Sequence, residues 1–400
     1  MRIFVFIMFL FSFVPAVFAA EAGQLALDEL LQRLKQHPEI QAYASRAESS
    51  RHYARGELGL PDPMLNFQVQ DYPIGSSRSA DFEEKMIGFR QEIPRAGIRR
   101  AKSEKMQVEA RKTGLMAGYA FAAMKAQLIA VLANRQSFRE REKLLDEQEN
   151  LFRSERGSIK GRIAANRSGA SQFSMNEAEG AEVGIMRAEL MEQERETEVM
   201  LTNMLGDVPE IALPAVKMSA WDNDPEKTYP VKITAEDVAM AQKEVATRTA
   251  EFGPNFEVQG NYGRMNNGDN AGTIMVGVSI PFWSSASQKP RLAGANAALH
   301  SSRLDLDNAK RGVIEKLDYL KAQIEASDQK IELLKTKNTY LETSAKALTR
   351  EYGAGKADFG MYLKARRDAL SARMALVQEH AKNISLIADF NHYFIEGEHP

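Results

Sequence analysis

Two periodicities alternate along the chain. The stretch from about Leu25 to Gly59 is helix-rich and ends at Leu60-Pro61-Asp62-Pro63, where two prolines forbid further helix. In the residues that follow, Leu65, Phe67 and Val69 alternate with Asn66, Gln68 and Gln70, the period-two pattern of a strand with one wet and one apolar face. After a polar loop, Gly75-Ser76-Ser77-Arg78-Ser79, a returning strand sets Ile87, Phe89 and Ile93 against Gly88, Arg90 and Glu92 and stops at Pro94. A β-hairpin between two helical regions is expected.

The second half repeats this order. Past Gly253-Pro254, Phe256, Val258 and Tyr262 alternate with Glu257, Gln259 and Asn261. Beyond the loop Asn266-Asn267-Gly268-Asp269-Asn270, Ile274, Val276, Val278, Ile280 and Phe282 share one face opposite Thr273, Met275, Gly277 and Ser279. Ile280-Pro281 takes the place of Ile93-Pro94, and Ser168-Gly169-Ala170-Ser171-Gln172-Phe173 matches Ala354-Gly355-Lys356-Ala357-Asp358-Phe359 at nearly the same offset. These matches predict an internal duplication: residues 20–210 and 231–400 as the two copies, with 211–230 as a linker.

After each hairpin the apolar residues step by three, four and seven. Met124, Val131, Phe138, Leu145 and Phe152 recur every seven residues, and Val183, Met186, Leu190, Gln193, Thr197, Met200 and Met204 step by three and four. In the second copy Val313, Leu317, Leu320, Ile324 and Ile331 follow the same spacing, as do Leu363, Leu370, Val377 and Ile384. This is coiled-coil packing. A helix from Gly97 to Arg156 would be on the order of 90 Å long, returning near Phe173 after a tip that bears Gly157, Gly161 and Gly169.

Ahead of all this, Arg2 and the apolar run Ile3 to Phe13 lead to Val17-Phe18-Ala19, the form of a secretory signal over residues 1–19, cut after Ala19 or alternatively after Ala22. An uncleaved anchor is the competing reading, but the run falls short of the roughly 20 residues that a spanning helix needs. No later segment offers 18 unbroken apolar residues, so no transmembrane helix is expected after it.

Composition narrows the choice further. There is no cysteine in the 400 residues, which excludes disulfide frameworks and cysteine metal sites. The formal charge of −2 lacks the basic excess that nucleic acid demands, so no nucleic-acid partner is expected. The sequence has no H-E-x-x-H, G-x-S-x-G or G-x-x-x-x-G-K motif and only six histidines, which argues against an enzyme and gives no reason to expect a cofactor. The 18 methionines and the terminal His392, Glu396, Glu398 and His399 invite a metal reading, but methionines at helical spacing mark a core, and no resident metal site is expected.

Strands of about ten residues are long enough to cross an outer membrane when tilted, yet four cannot close a barrel, and an open edge in lipid leaves backbone groups unpaired. The strands must be pooled between chains. Three chains give twelve strands, with apolar faces toward lipid and Asn66, Gln68, Gln70, Arg90, Glu92, Glu257, Gln259 and Asn261 lining a wet lumen. Tyr72, Phe82, Tyr262, Phe282 and Trp283 lie near strand ends, where interfacial aromatics belong. The expected fold is mainly α with a small β part: duplicated helical hairpins forming an α-barrel, and four strands per chain pooled into a twelve-stranded trimeric barrel.

With this order of parts the chain resembles the TolC-type outer membrane efflux proteins. The carriers are His37-Pro38-Glu39-Ile40 running on into Pro61, the hairpins closing in Ile93-Pro94 and Ile280-Pro281, and Tyr352-Gly353-Ala354-Gly355-Lys356-Ala357-Asp358-Phe359 leading to Leu363. The resemblance implies a homotrimer in outer membrane lipid whose helices cross the periplasm. It also implies passage of cargo from an inner-membrane resistance-nodulation-division pump through a periplasmic adaptor. Leu60-Pro61-Asp62-Pro63-Met64-Leu65 looks most like members serving heavy-metal pumps. The family's roles carry adaptor docking to the tip turns, Ser168, Gly169 and Ala170 and then Ala354, Gly355 and Lys356. The family's aspartate ring is missing, since Met361 and Lys364 hold those positions, and Lys356, Asp358, Arg366 and Arg367 are the candidates for a periplasmic constriction. A solvated charged face is the plainer reading of those four. The competing function is a soluble periplasmic coiled-coil adaptor, its hairpins folded into a small separate domain.

Overall fold

The structure, a computed structural model, describes residues 27–70, 84–165, 170–208, 211–265 and 268–395. The chain begins with α1 (residues 27–35) and α2 (Pro38–Gly56), followed by β1 (Met64–Gln70) and β2 (Glu84–Ile93). Then come α3 (Ala96–Ala164) and α4 (Ala170–Leu205). After an extended stretch and the 3₁₀ turn Pro225–Lys227, the same succession returns as α5 (Tyr229–Ala250), β3 (Asn255–Met265), β4 (Asn270–Ser279), α6 (Gln288–Gly353) and α7 (Phe359–Asn391). The first long helix runs farther than the sequence pattern predicts. Gly157 and Gly161 lie inside α3 rather than in its tip turn, and α4 starts three residues ahead of Phe173. Two glycines at the end of a 69-residue helix cost about 1 kcal/mol each, which the packed turns on either side absorb.

Two compact units result, each drawing on both halves of the sequence. One comprises residues 41–119 and 223–314 and contains the sheet. Its strands run in the order β1-β2-β3-β4, all neighbours antiparallel, so the two hairpins join through β2 and β3 from Glu84↔Met265 to Ile93↔Phe256. In this unit the first turns of α3 are laced to α5 by Lys105–Glu244 at 2.9 Å, Lys243–Glu104 at 2.9 Å and Lys112–Asp237 at 2.5 Å. Gly118 has no room for a side chain, because a Cβ there would stand 2.9 Å from the ring of the buried Tyr229.

The other unit comprises residues 27–40, 120–222 and 315–395 of the described chain. Its upper core joins Leu30 and Leu34 of α1 to Leu128, Val131 and Leu132 of α3 and to Leu201 and Met204 of α4. A window within α3 is apolar enough by composition to pass for a membrane span, although Lys125 and Gln127 break it and no 18 unbroken apolar residues occur. In the structure several of its residues are core.

A second core, toward the helix tips, gathers Leu144, Leu145, Phe152 and Ile159 of α3, Val183 and Leu190 of α4, and Phe359, Tyr362, Leu363 and Leu370 of α7. The seven-residue spacing of Val183, Leu190, Thr197 and Met204 marks the buried seam of α4, whereas Gln193 and Met200 are exposed. Between α6 and α7 lies a polar node: Ser327 Oγ donates to Glu379 at 2.9 Å, Lys330 Nζ at 2.6 Å, and Asn383 donates to Asp328 at 2.9 Å. Burial alone would raise the Glu379 carboxyl, but the hydrogen bonds from Lys330 and Ser327 outweigh it and hold it below its ordinary 4.5. A depressed carboxylate stabilises the fold fully above its unfolded value, and that stability is lost as pH falls through the folded one. Glu379→Gln is therefore expected to lower the thermal midpoint at neutral pH and to flatten its decline below pH 4.5, as read by circular dichroism against the parent.

Candidate functional site

The register of the sheet decides which side chains share a face. Residues directly opposite one another in an antiparallel pair project to the same side. One row reads Asn66, Gly88, Asn261, Thr273, the next Met64, Arg90, Gln259, Met275, and the next Glu92, Glu257, Gly277. Gln68 follows on the same face of β1. Seven of the eight residues predicted to line a lumen thus stand on one side of one sheet, and Gln70 holds the last paired position of β1 opposite Glu84. Arg90 Nε lies 3.1 Å from Glu257, and Gln259 donates to Asn261 at 3.3 Å. Gly88 is required here: a Cβ would fall 2.0 Å from Asn261 Oδ1 and 2.4 Å from Asn66 Oδ1, so the two amides meet over the glycine.

The opposite face is apolar and open. Leu65, Phe89, Gly260 and Ile274 form one row, and Phe67, Ile87, Tyr262 and Gly272 the next. Phe67 and Ile274 are each 83% exposed, and Phe282 and Trp283, just past β4, are each 81% exposed. Contiguous exposure of this kind calls for lipid or a partner. The outer edges of β1 and β4 have no strand partner among the described residues. β4 ends at Ser279, so Ile280 and Phe282, expected on its apolar face, lie beyond the last paired residue, where Phe282 N–H donates to Ile280 O at 2.9 Å. Tyr72 and Phe82 lie outside the described residues.

At the helix tips, α6 ends in a Schellman turn. Lys356 N–H donates to Glu351 O at 2.8 Å and Gly355 N–H to Tyr352 O at 2.9 Å, with Gly355 at φ +71°, the left-handed conformation that glycine adopts without penalty. Ala354, Gly355 and Lys356 are all exposed at this turn. In the first tip Ala170 opens α4 and is exposed, while Ser168 and Gly169 lie outside the described residues.

The four constriction candidates have local partners or stand in solvent. Asp358 caps α7 by accepting from Gly360 N–H at 2.7 Å, Arg367 reaches Glu179 at 3.4 Å, Arg366 sits over the Tyr362 ring at 5.7 Å, and Lys356 is exposed. Asp358 thus has a structural task that the sequence reading missed, although an Asp just ahead of an apolar helix is itself a capping signal.

Beneath that turn is an aromatic group absent from the sequence-based candidates. Tyr352 stacks on Tyr362 with centroids 5.0 Å apart, and Phe359 packs 5.3 Å from Tyr352 and 5.9 Å from Tyr362. Arg162 of α3 hydrogen-bonds the Tyr352 hydroxyl and lies over its ring at 5.0 Å, and Tyr362 Oη donates to Glu155 at 3.4 Å. Burial, with the Glu155 charge, pushes the Tyr362 phenol up to about 12, so it remains a donor at any physiological pH. The spacing of Tyr352, Phe359 and Tyr362 by seven and three was the available signal.

A meander of four strands, apolar on one face and polar on the other and joined to helices of more than sixty residues, defines a class: the protomer of an outer-membrane channel. Solved structures share the fold. The channel VceC of Vibrio cholerae is 15% identical, with 94% of this chain and 97% of that one covered and a TM-score of 0.77. CusC is 10% identical, covers 92% of both chains and has a TM-score of 0.80. The open-state MtrE channel of Neisseria gonorrhoeae is 14% identical, with 92% and 88% covered and a TM-score of 0.77. No curated protein matches in sequence. Residues 232–383 match the model of the outer membrane efflux protein family. This match and the shared fold support a transport channel of the outer membrane with a helical portion in the periplasm rather than an enzyme. The soluble-adaptor alternative is thereby set aside.

Proposed function

We propose that three copies of this chain close a twelve-stranded barrel and a helical tube, forming the exit duct of a tripartite pump that exports heavy-metal ions. The observation that carries the duct is the two-faced sheet with unpaired outer edges. Strand direction alternates from β1 to β4, so β4 of one copy meets β1 of the next in the antiparallel sense, and cyclic closure leaves no edge in lipid. Asn66, Gln68, Gln70, Arg90, Glu92, Glu257, Gln259 and Asn261 then face water. The exposed turns at Ala170 and at Ala354, Gly355 and Lys356, together with Ser168 and Gly169, receive the periplasmic adaptor, which links the duct to a resistance-nodulation-division pump. Lys356, Asp358, Arg366 and Arg367 ring the periplasmic mouth. Residues 1–19 are removed on export, and 20–210 and 231–400 are duplicated copies joined by 211–230. The heavy-metal cargo rests on the resemblance of Leu60-Pro61-Asp62-Pro63-Met64-Leu65 to members with that role.

The test is a deletion strain exposed separately to copper, silver, zinc, cobalt and a panel of organic drugs. Sensitivity and cell-associated accumulation confined to one or two metals are expected. Sensitivity to drugs alone would refute the metal cargo and leave the duct.

A further inference from the structure

Charge is sorted between the two faces of the sheet. Glu92 and Glu257 stand on the polar face with Arg90, while the apolar face carries charge at only two of its described strand positions, Lys85 and Arg264. These two lie directly opposite one another in β2 and β3, and both are exposed. Their row, Val69, Lys85, Arg264 and Asn270, is the last row of that face among the described residues. The next row inward holds Phe67 and Tyr262, and aliphatic side chains such as Ile274, Val276 and Val278 follow. The opposite end of the face, at Ile93 and Phe256, adjoins the start of α3 and the end of α5.

This succession has a meaning if the face meets lipid. A cation is costly at the middle of a lipid-facing strand, and the cost falls away toward the interface, where a long stem lets the charged head reach the headgroups. Aromatic rings favour the same boundary. Cations, then rings, then aliphatic side chains therefore mark a headgroup layer crossed from outside inward. With the helices on the periplasmic side, that layer belongs to the outer leaflet.

We propose that Lys85 and Arg264 bind a phosphate of the phosphorylated glycolipid of the outer leaflet, one site per copy. The inference rests on the barrel reading above and extends it to a particular lipid. Directly opposite residues have their Cα atoms about 5 Å apart, so both side chains can reach one phosphate. Like charges so placed weaken a strand pair, whereas a phosphate between them accepts charge-assisted hydrogen bonds from both. The strands are held close at this level, because a Cβ on Gly263 would stand 2.4 Å from Lys85 O. Arg264 Nε donates to Gly268 O at 3.2 Å, which anchors the guanidinium and leaves its two Nη groups as donors. The acyl chains of the same lipid then lie along Tyr262 and Ile274, continuous with the apolar face. A zwitterionic headgroup brings its own cation and gains less from the pair, and a lipid of the periplasmic leaflet does not reach this row.

The full-length trimer is extracted from outer membranes in mild detergent, freed of bound lipid and titrated separately with bisphosphorylated lipid A, dephosphorylated lipid A and phosphatidylglycerol, with binding read by native mass spectrometry. The parent is expected to bind the bisphosphorylated form roughly tenfold or more tighter than the other two. Lys85→Gln combined with Arg264→Gln is expected to lose that preference, whereas Lys85→Arg combined with Arg264→Lys, which keeps both charges, retains it. Equal affinity of the parent and the double glutamine variant for bisphosphorylated lipid A overturns the site. Equal binding of dephosphorylated lipid A by the parent overturns phosphate as the ligand, and a preference for phosphatidylglycerol overturns the outer leaflet as its source. A chain that yields no trimer from outer membranes overturns the barrel reading itself.

Discussion

Ile274→Arg is expected to abolish accumulation of the protein as an outer-membrane channel, although Ile274 is among the most exposed side chains in the structure. It lies at the middle of β4, in the apolar row with Leu65, Phe89 and Gly260. On a face bathed by water such a change would lie within about 0.5 kcal/mol of neutral. At the middle of a lipid-facing strand an arginine costs roughly 2–4 kcal/mol, and in the proposed trimer three copies incur it together. Thr273→Arg, one residue away on the polar face, serves as the control and is expected to assemble. The comparison is made by quantifying trimer in purified outer membranes. Equal yields from the two variants would mean that the apolar face does not meet lipid.

The faces that this prediction uses are legible in the sequence because strand alternation is a local property: each strand declares its two sides without knowing its neighbours. What alternation cannot say is which strands pair. The union of the two hairpins through β2 and β3 brings Glu92 beside Glu257 and Arg90 beside Gln259, residues more than 160 positions apart. Helix ends were legible only approximately. Glycine reads as a stop, yet Gly157 and Gly161 continue α3 because neighbouring turns such as Ile159 are anchored in the tip core. Asp358 was legible as one candidate for a constriction because charge is visible in a sequence, whereas its bond to the Gly360 amide depends on where α7 begins.

Phe359→Ala is expected to have the largest effect on stability of any single truncation near the tip. Phe359 is 2% exposed and packs against both Tyr352 and Tyr362, where the end of α6, the start of α7 and the facing surface of α3 converge. Removing a buried phenylalanine side chain costs about 3–5 kcal/mol, depending on how far the cavity can collapse. Collapse is restricted here because Arg162 and Glu155 hold the two tyrosines from α3. The loss should be local before it is global, since the upper core around Leu30, Leu128 and Leu201 shares no residue with the tip core. Hydrogen exchange is therefore expected to rise at least tenfold across residues 345–370 while amides near Leu128 keep their protection. The Gly355 turn is held against the rest of the unit through Tyr352 and Phe359, so the same variant should lose the adaptor binding proposed for that turn while retaining the proposed trimer. Phe359→Leu, which keeps most of the buried volume, should recover both. If exchange rises equally at the two cores, the tip is no separate cooperative unit; if it rises at neither, the aromatic group does not hold the turn in place.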